Sequence, residues 1–181
     1  ENYAIAVDRA YDGLQNFPKP TIAMINGYCI GGGLGIAVSC DLRICTDNAR
    51  FAVPAAKLGL GYGYSHIRKL TNVVGPSFAK EIFFTARQFN AQEACEMKLV
   101  NRVVPASLLR AFVDDYAQTI AANAPLTVAQ VKYTIGEIVK DPADRDLAKC
   151  AAMVKACFDS EDFIEGRQAF MEKRPAQWKG R

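Results

Sequence analysis

The stretch NGYCIGGGLGIAVSCD, residues 26–41, sets three consecutive glycines and a fourth two positions later between an apolar strand-like run and an apolar helix-like run. Glycine permits backbone conformations and close approaches that a Cβ forbids, so the cluster marks a junction where something comes near the main chain. A strand that leads through glycines into a helix aims backbone N–H groups, and the positive end of the helix dipole, at whatever occupies the turn. Such a turn is a seat for an oxyanion or a phosphate. The dinucleotide pattern G-x-G-x-x-G fails, because counting from Gly31 and Gly33 its last position is Ile36, and no G-x-x-x-x-G-K-[ST] occurs. On pattern alone, glycines that merely allow tight helix–strand packing explain the cluster equally well.

Working outward, TIAMING (21–27) reads as a buried strand bounded by Pro20 and Gly27, LGIAVSC (34–40) as a short helix and DLRICT (41–46) as a second strand. Strand, glycine turn, helix and strand make the unit of a parallel sheet. Phe51 to Val53 predicts a further short strand, and KLGLGYGYSH (57–66) a glycine- and tyrosine-rich loop before a helix around IRKLTNVV (67–74). Loops of that composition shape pockets. Gly75 and Pro76 punctuate the next boundary, with SFAKEIFFTA (77–86) helical beyond it. Asn90 three residues before Glu93 predicts a capping box opening AQEACEMK (91–98), and VNRVV (100–104) is strand-like.

Past Pro105 the pattern is helical. Leu109, Phe112, Tyr116 and Ile120 fall at helix spacing, as do Val128, Val131, Ile135 and Ile138. The expected organisation is therefore an α/β part over residues 1–105 and a helical region over 106–181. Several apolar stripes in one region need partner surfaces, which predicts a homo-oligomer. At the other end, ENYAIAVDRAYDGLQNF (1–17) puts Tyr3, Val7, Ala10 and Leu14 on one helical stripe, with neither a capping residue nor an initiator methionine before it. The expectation is that the sequence starts inside a helix and that an N-terminal portion precedes it.

Composition narrows the function classes. Half of the 181 residues are hydrophobic and 23% charged, enough apolar material for a compact domain. Every apolar run is broken well short of the roughly 18 residues that a membrane span requires, and no signal peptide opens the chain. A net charge of +3 from 22 basic and 19 acidic residues, without a basic run, leaves no electrostatic footprint for nucleic acid. The six cysteines show no CxxC pair, and with one histidine there is no metal-ligand spacing. Reduced, mostly buried thiols are expected, hence a reducing compartment such as the cytoplasm.

KPTIAMINGYCIGGGLGIAVSCDLRICTDNARFAVP (19–54) resembles the central signature of the enoyl-CoA hydratase/isomerase family, the crotonase superfamily. The resemblance continues through KLGL, LVNRVVP and the terminal EGRQAFMEKRPAQWKGR, covering essentially the whole chain. It implies an α/β fold of the ClpP/crotonase-like kind, a β-β-α spiral followed by a C-terminal helical trimerisation region. The implied partners are an acyl-CoA thioester and further copies of the chain, as a trimer or a dimer of trimers. No separate cofactor or metal is implied, since coenzyme A is part of the substrate. In this family the thioester carbonyl lies between two backbone N–H groups and reaction passes through an enolate-like species. Gly32 matches the position of one donor, with Gly31, Gly33 and Gly35 around it; an earlier segment of strands would supply the other.

Family hydratases use two glutamates, and aligned without gaps from the glycine cluster those positions fall on Gly35 and Ala55. Positioned acid–base groups contribute about 10² to 10⁴ in rate each, so a poor hydratase is expected unless other groups substitute. Candidates lie in LGLGYGYSH: the hydroxyls of Tyr62 and Tyr64, and His66, whose ordinary pKa is nearest neutrality. Each has a plainer reading, as packed or pocket-lining rings or a local hydrogen-bonding histidine. Lys57 reads as a solvated charge. Gly35, Ala55 and Leu58 would line an enlarged acyl pocket, which admits a substrate bearing its own reactive carboxylate. The GGGLGI turn also resembles superfamily branches that dehalogenate aryl-CoA thioesters with an aspartate nucleophile, but no Asp or Glu occurs from Phe51 to Ala79, and a covalent mechanism needs one. Asp41 reads as structural. Lys173 and Arg174 match a family segment whose basic residues approach the CoA phosphates; a solvated helix end is the alternative for both.

Overall fold

The computed structural model describes residues 2–181, and residues 2–4 by their backbone alone. Tyr3 of the expected stripe thus lies outside the described side chains. The chain divides into two units, one running to Phe17 and over Thr21–Asp115, the other comprising Pro18–Pro20 and Tyr116–Arg181.

In the first unit, α1 (Asn2–Gln15) precedes β1 (Ile22–Ile25), β2 (Tyr28–Ile30), α2 (Gly32–Ser39), β3 (Leu42–Thr46) and β4 (Arg50–Ala52). Then come α3 (Ala55–Leu58), α4 (Tyr64–Thr85), β5 (Phe89–Asn90), α5 (Ala91–Glu96) and β6 (Arg102–Val104). The strands form two three-stranded sheets, β1-β3-β6, all parallel, and β2-β4-β5, in which β2 and β4 are parallel and β5 antiparallel. The single strand expected before the glycine turn is therefore two. Gly27, at φ +80°, turns the chain so that β1 and β2 join different sheets. The apolar run is continuous across this turn, so hydrophobic period could not reveal the break.

Other local signals act where the sequence places them. Gly75 interrupts α4 at φ +77°, and Pro76, which needs no N–H acceptor, opens the second helical segment. Asn90 and Glu93 form the predicted capping box: Asn90 Oδ1 accepts from the Glu93 amide at 2.9 Å, and Glu93 Oε2 from the Asn90 amide at 2.8 Å. The core between the sheets and α2, α4 and α5 is built on Leu34, Ile82, Leu99 and the cross-strand pair Phe51 and Phe89, all essentially inaccessible. Truncating either phenylalanine to alanine would cost about 3 to 5 kcal/mol. Arg43 is the buried cation of this unit. Its guanidinium donates to the carbonyls of Leu99 (2.7 Å), Cys40 (2.9 Å) and Ala37 (3.3 Å), so a helix C-terminus and the α5–β6 turn satisfy it. Asp41 has the structural role expected, accepting from the amide and hydroxyl of Thr21 at 2.6 and 2.9 Å.

The second unit begins within α6 (Leu109–Ala121), at Tyr116, and continues through α7 (Pro125–Ile138), α8 (Leu147–Asp159) and α9 (Glu161–Glu172). Asp146 and Ser160 cap α8 and α9, each accepting from the amide three residues on. The C-terminal segment folds back on α9: the amides of Lys179 and Gly180 donate to the buried carboxylate of Asp162, and the Trp178 ring lies against Gly166. The predicted α7 stripe is not covered within the chain, for Val131, Ile135 and Ile138 are 46%, 57% and 61% exposed. Among the described residues, no helix is long and apolar enough to cross a membrane.

Candidate functional site

The glycine turn is built from the sheet outward. β2 runs in register with β4 to the pair Ile30 and Ala52, and the next amide, that of Gly31, donates to the Ala52 carbonyl at 2.9 Å. Gly31 then adopts φ +55° and ψ −116°, a conformation closed to residues with a Cβ, and its carbonyl accepts the first helical bond, from Gly35, at 3.1 Å. The amides of Gly32, Gly33 and Leu34 belong to the first turn of α2 and have no intrahelical acceptor. Gly32 and Gly33 are exposed while Leu34 is buried in the core. The turn thus spends the Gly31 amide on anchorage and presents the next two, at the positive end of the helix dipole.

Beneath the turn lies a cavity of about 30 Å³, lined by Gly31, Leu34, Gly35 and Val38 of this segment together with Tyr11, Tyr62, His66 and Lys69. Among the described residues, no Asp or Glu lines it. Tyr11, 7% exposed, donates its hydroxyl to the Gly32 carbonyl at 3.1 Å. Its ring fills the space that a side chain at residue 35 would need: an ideal Cβ there would stand 2.2 Å from the Tyr11 hydroxyl oxygen and 2.5 Å from Cζ. Gly35 is glycine because Tyr11 is where it is.

A hydrogen bond and an ion pair between α1 and α4 flank Tyr11. His66 Nε2 donates to Asp8 Oδ1 at 2.8 Å, and Lys69 Nζ to Asp12 Oδ1 at 2.9 Å. The His66 ring meets Tyr11 edge-on with centroids 5.2 Å apart, and Lys69 Nζ lies 5.7 Å from the Tyr11 ring centre. Tyr62 packs edge-on against Phe83 at 5.1 Å and against His66 at 6.1 Å. Cys29 and Cys45, buried beside this frame, are pushed by desolvation up to about 11 and about 12, so both stay thiols near neutrality and offer no thiolate nucleophile.

Of the residues selected from sequence, Gly31, Gly35, Tyr62 and His66 come together at the cavity, whose described lining includes neither Gly32 nor Gly33. Tyr64 does not join them: at the exposed first position of α4 its ring is 73% accessible. Leu58 is equally exposed, whereas Ala55 is buried at the start of α3 and lies outside the cavity lining. Sequence reasoning missed Tyr11, Asp8, Asp12 and Lys69. The spacing of Val7, Tyr11 and Leu14 held a signal for Tyr11, since it satisfies helix period as well as the stripe through Ala10 does.

In the second unit, Lys173 is exposed and ends α9 at φ +54°. Arg174 departs from the expectation of a phosphate contact. Both of its terminal nitrogens bind the Glu165 carboxylate, at 2.6 and 3.0 Å, and Nε binds Glu172 at 2.6 Å, so its fork is already filled by carboxylates. Those bonds raise the Arg174 pKa and hold the Glu165 carboxyl at about 2.

The sequence model of the enoyl-CoA hydratase/isomerase family matches residues 1–181. A short-chain-enoyl-CoA hydratase of Clostridium acetobutylicum is 37% identical over 172 residues, which is 95% of this chain and 66% of that protein. A carnitinyl-CoA dehydratase of Proteus mirabilis is 38% identical over 171 residues, 90% of this chain and 64% of its own length. The chain thus spans slightly less than two thirds of these curated relatives. Among solved structures, an enoyl-CoA hydratase/isomerase family protein from Hyphomonas neptunium superposes with a TM-score of 0.91 at 36% identity, covering 100% of this chain and 70% of that one. The enoyl-CoA hydratase of Bacillus anthracis superposes with a TM-score of 0.85 at 33% identity, covering 99% and 71%.

Proposed function

Since this chain belongs to the enoyl-CoA hydratase/isomerase family and has the crotonase fold, we propose that its glycine turn seats the carbonyl oxygen of an acyl-CoA thioester and stabilises the enolate formed there. The observation that carries this reading is the division of labour at the turn. The Gly31 amide is bonded to Ala52, which orients the Gly32 amide outward at a helix N-terminus, where charge developing on a thioester oxygen would be met by a fixed donor. Loss of one such donor costs about 3 to 4 kcal/mol of transition-state stabilisation. Binding needs no separate cofactor, because coenzyme A is part of the substrate. Tyr62 and His66 are the candidate proton-handling groups read from sequence that line the cavity. Exposed Leu58 and Leu60 offer apolar surface for the acyl chain.

Hydration of a simple enoyl thioester is expected to be weak, because neither Gly35 nor Ala55 supplies a carboxylate and none of the described residues lining the cavity does. Calorimetry with acetyl-CoA should show binding, and a steady-state assay with crotonyl-CoA should show turnover at least about 10²-fold below that of a two-glutamate hydratase. Ordinary hydratase turnover would overturn the argument from the missing glutamates. The absence of a carboxylate favours a second reaction for the same turn, decarboxylation of a malonyl-type thioester. There the bond between the α-carbon and the carboxylate breaks, CO₂ leaves, the electron pair becomes the enolate at the Gly32 amide, and a proton then adds to the α-carbon. Mass spectrometry of a panel of acyl-CoAs separates the two, and binding without turnover on the whole panel would assign a CoA-binding subunit instead. The same reading divides the chain into a spiral core over 1–105 and an oligomerisation region over 106–181, with assembly as a trimer or a dimer of trimers. The uncovered apolar side chains of α7, α8 and α9 support it.

A further inference from the structure

We propose that the hydroxyl of Tyr11 is the group that moves the α-proton at this site. The inference rests on the thioester reading above and adds the proton-transfer residue to it. Tyr11 comes from α1, yet its hydroxyl is bonded at 3.1 Å to the carbonyl of Gly32, the residue whose amide faces the thioester oxygen in that reading. It lies 3.6 Å from where a Cβ on Gly32 would be, and 2.2 Å from where one on Gly35 would be, so it starts where a side chain projecting from α2 toward the turn would start. The volume of a missing α2 side chain has been taken by a phenol delivered from another helix.

The surroundings suit proton transfer. The cavity that Tyr11 shares with His66 has about 30 Å³ of space, enough to admit a water molecule, and among the described residues no carboxylate lines it. His66 is oriented by Asp8 at 2.8 Å and presents its ring edge-on to Tyr11. In the protonation step the phenol O–H bond breaks, its proton forms a C–H bond with the electron pair at the enolate α-carbon, and the phenolate recovers a proton from the His66 imidazolium across the cavity. In the reverse step the α-proton passes to the Tyr11 oxygen as the phenol's own proton passes to neutral His66, and the electron pair moves onto the thioester oxygen at the Gly32 amide. Asp8 is a positioning residue, holding His66 toward the cavity.

The test uses butyryl-CoA as probe, with the complete protein in D₂O. Deuterium incorporation at the α-carbon is followed by mass spectrometry, and binding by calorimetry. Tyr11→Phe keeps the ring that fills the space beside Gly35, so the expected result is butyryl-CoA binding within about twofold of the unaltered protein and α-deuteration slowed by about 10²-fold or more. Exchange by Tyr11→Phe at the unaltered rate would overturn the assignment and leave the thioester seat standing. Binding without any exchange by the unaltered protein would overturn it also. Absence of both binding and exchange would instead sink the thioester reading on which it rests. His66→Gln supplies an independent readout: if His66 returns the proton, the variant slows α-deuteration while butyryl-CoA binding stays within about twofold, and exchange at the unaltered rate removes His66 from the relay.

Discussion

Gly32 and Gly35 look alike in the sequence and serve different ends. At Gly32 the proposed role belongs to the amide, a first-turn donor of α2 without an intrahelical acceptor, while Gly31 spends its own amide on Ala52. At Gly35 what matters is the missing Cβ, because the Tyr11 ring occupies that space. The second claim is testable without any substrate. Gly35→Ala should destabilise the protein by about 1 to 3 kcal/mol, the usual cost of forcing a methyl into a filled core site, despite alanine's better helix propensity. In a Tyr11→Ala background the same substitution should be neutral or stabilising. Urea unfolding of the two single variants and the double variant gives the coupling, and additive effects would mean that the two positions do not share space. The glycine cluster itself was legible from sequence, because a left-handed φ at Gly31 is a local requirement. The partner of Gly35 was not, because nothing near residue 35 names residue 11.

At the scale of elements, short-range chemistry sets the boundaries. The capping box at Asn90, the break at Gly75–Pro76 and the strand β6 sit where turn and cap residues put them. The misreading was a sheet assignment: one apolar run carries β1 and β2, and strand pairing rather than period decides which sheet each joins. The C-terminal segment behaves likewise, since the basic residues that resemble a phosphate-binding tail include Arg174, clasped by acidic partners on α9, the helix that it follows. Glu165 accepts from Arg174 and from the Gln177 amide, which lowers its carboxyl from an ordinary 4.5 to about 2. A carboxyl depressed on folding contributes stability above its unfolded pKa and loses that contribution as pH falls through the folded value. The second unit should therefore lose stability between about pH 4.5 and pH 2, and Glu165→Gln should be less stable near neutrality with a shallower acid limb. Urea midpoints measured across that range check it; parallel curves for the two proteins would mean that the clasp contributes nothing.

For the whole molecule, the question is what covers the apolar side chains that the chain leaves in water. Phe170 and Met171 on α9 are 82% and 80% exposed, and Ile135 and Ile138 on α7 are 57% and 61% exposed, apolar surface that supports the proposed assembly. Sedimentation equilibrium is expected to give a particle of three or six chains, and Phe170→Asp to shift it toward smaller species; a monomer at micromolar concentration would contradict the proposed assembly. By itself the sequence determined the α/β and helical parts and the glycine turn, because period, caps and left-handed glycines are properties of a few neighbouring residues. Only the tertiary structure decided that β1 and β2 part company, that Tyr64 faces solvent while Tyr62 and His66 line the cavity, and that Tyr11 fills the space at Gly35. Those facts depend on side chains brought into contact across long stretches of chain, and such contacts exist only once the helices have packed.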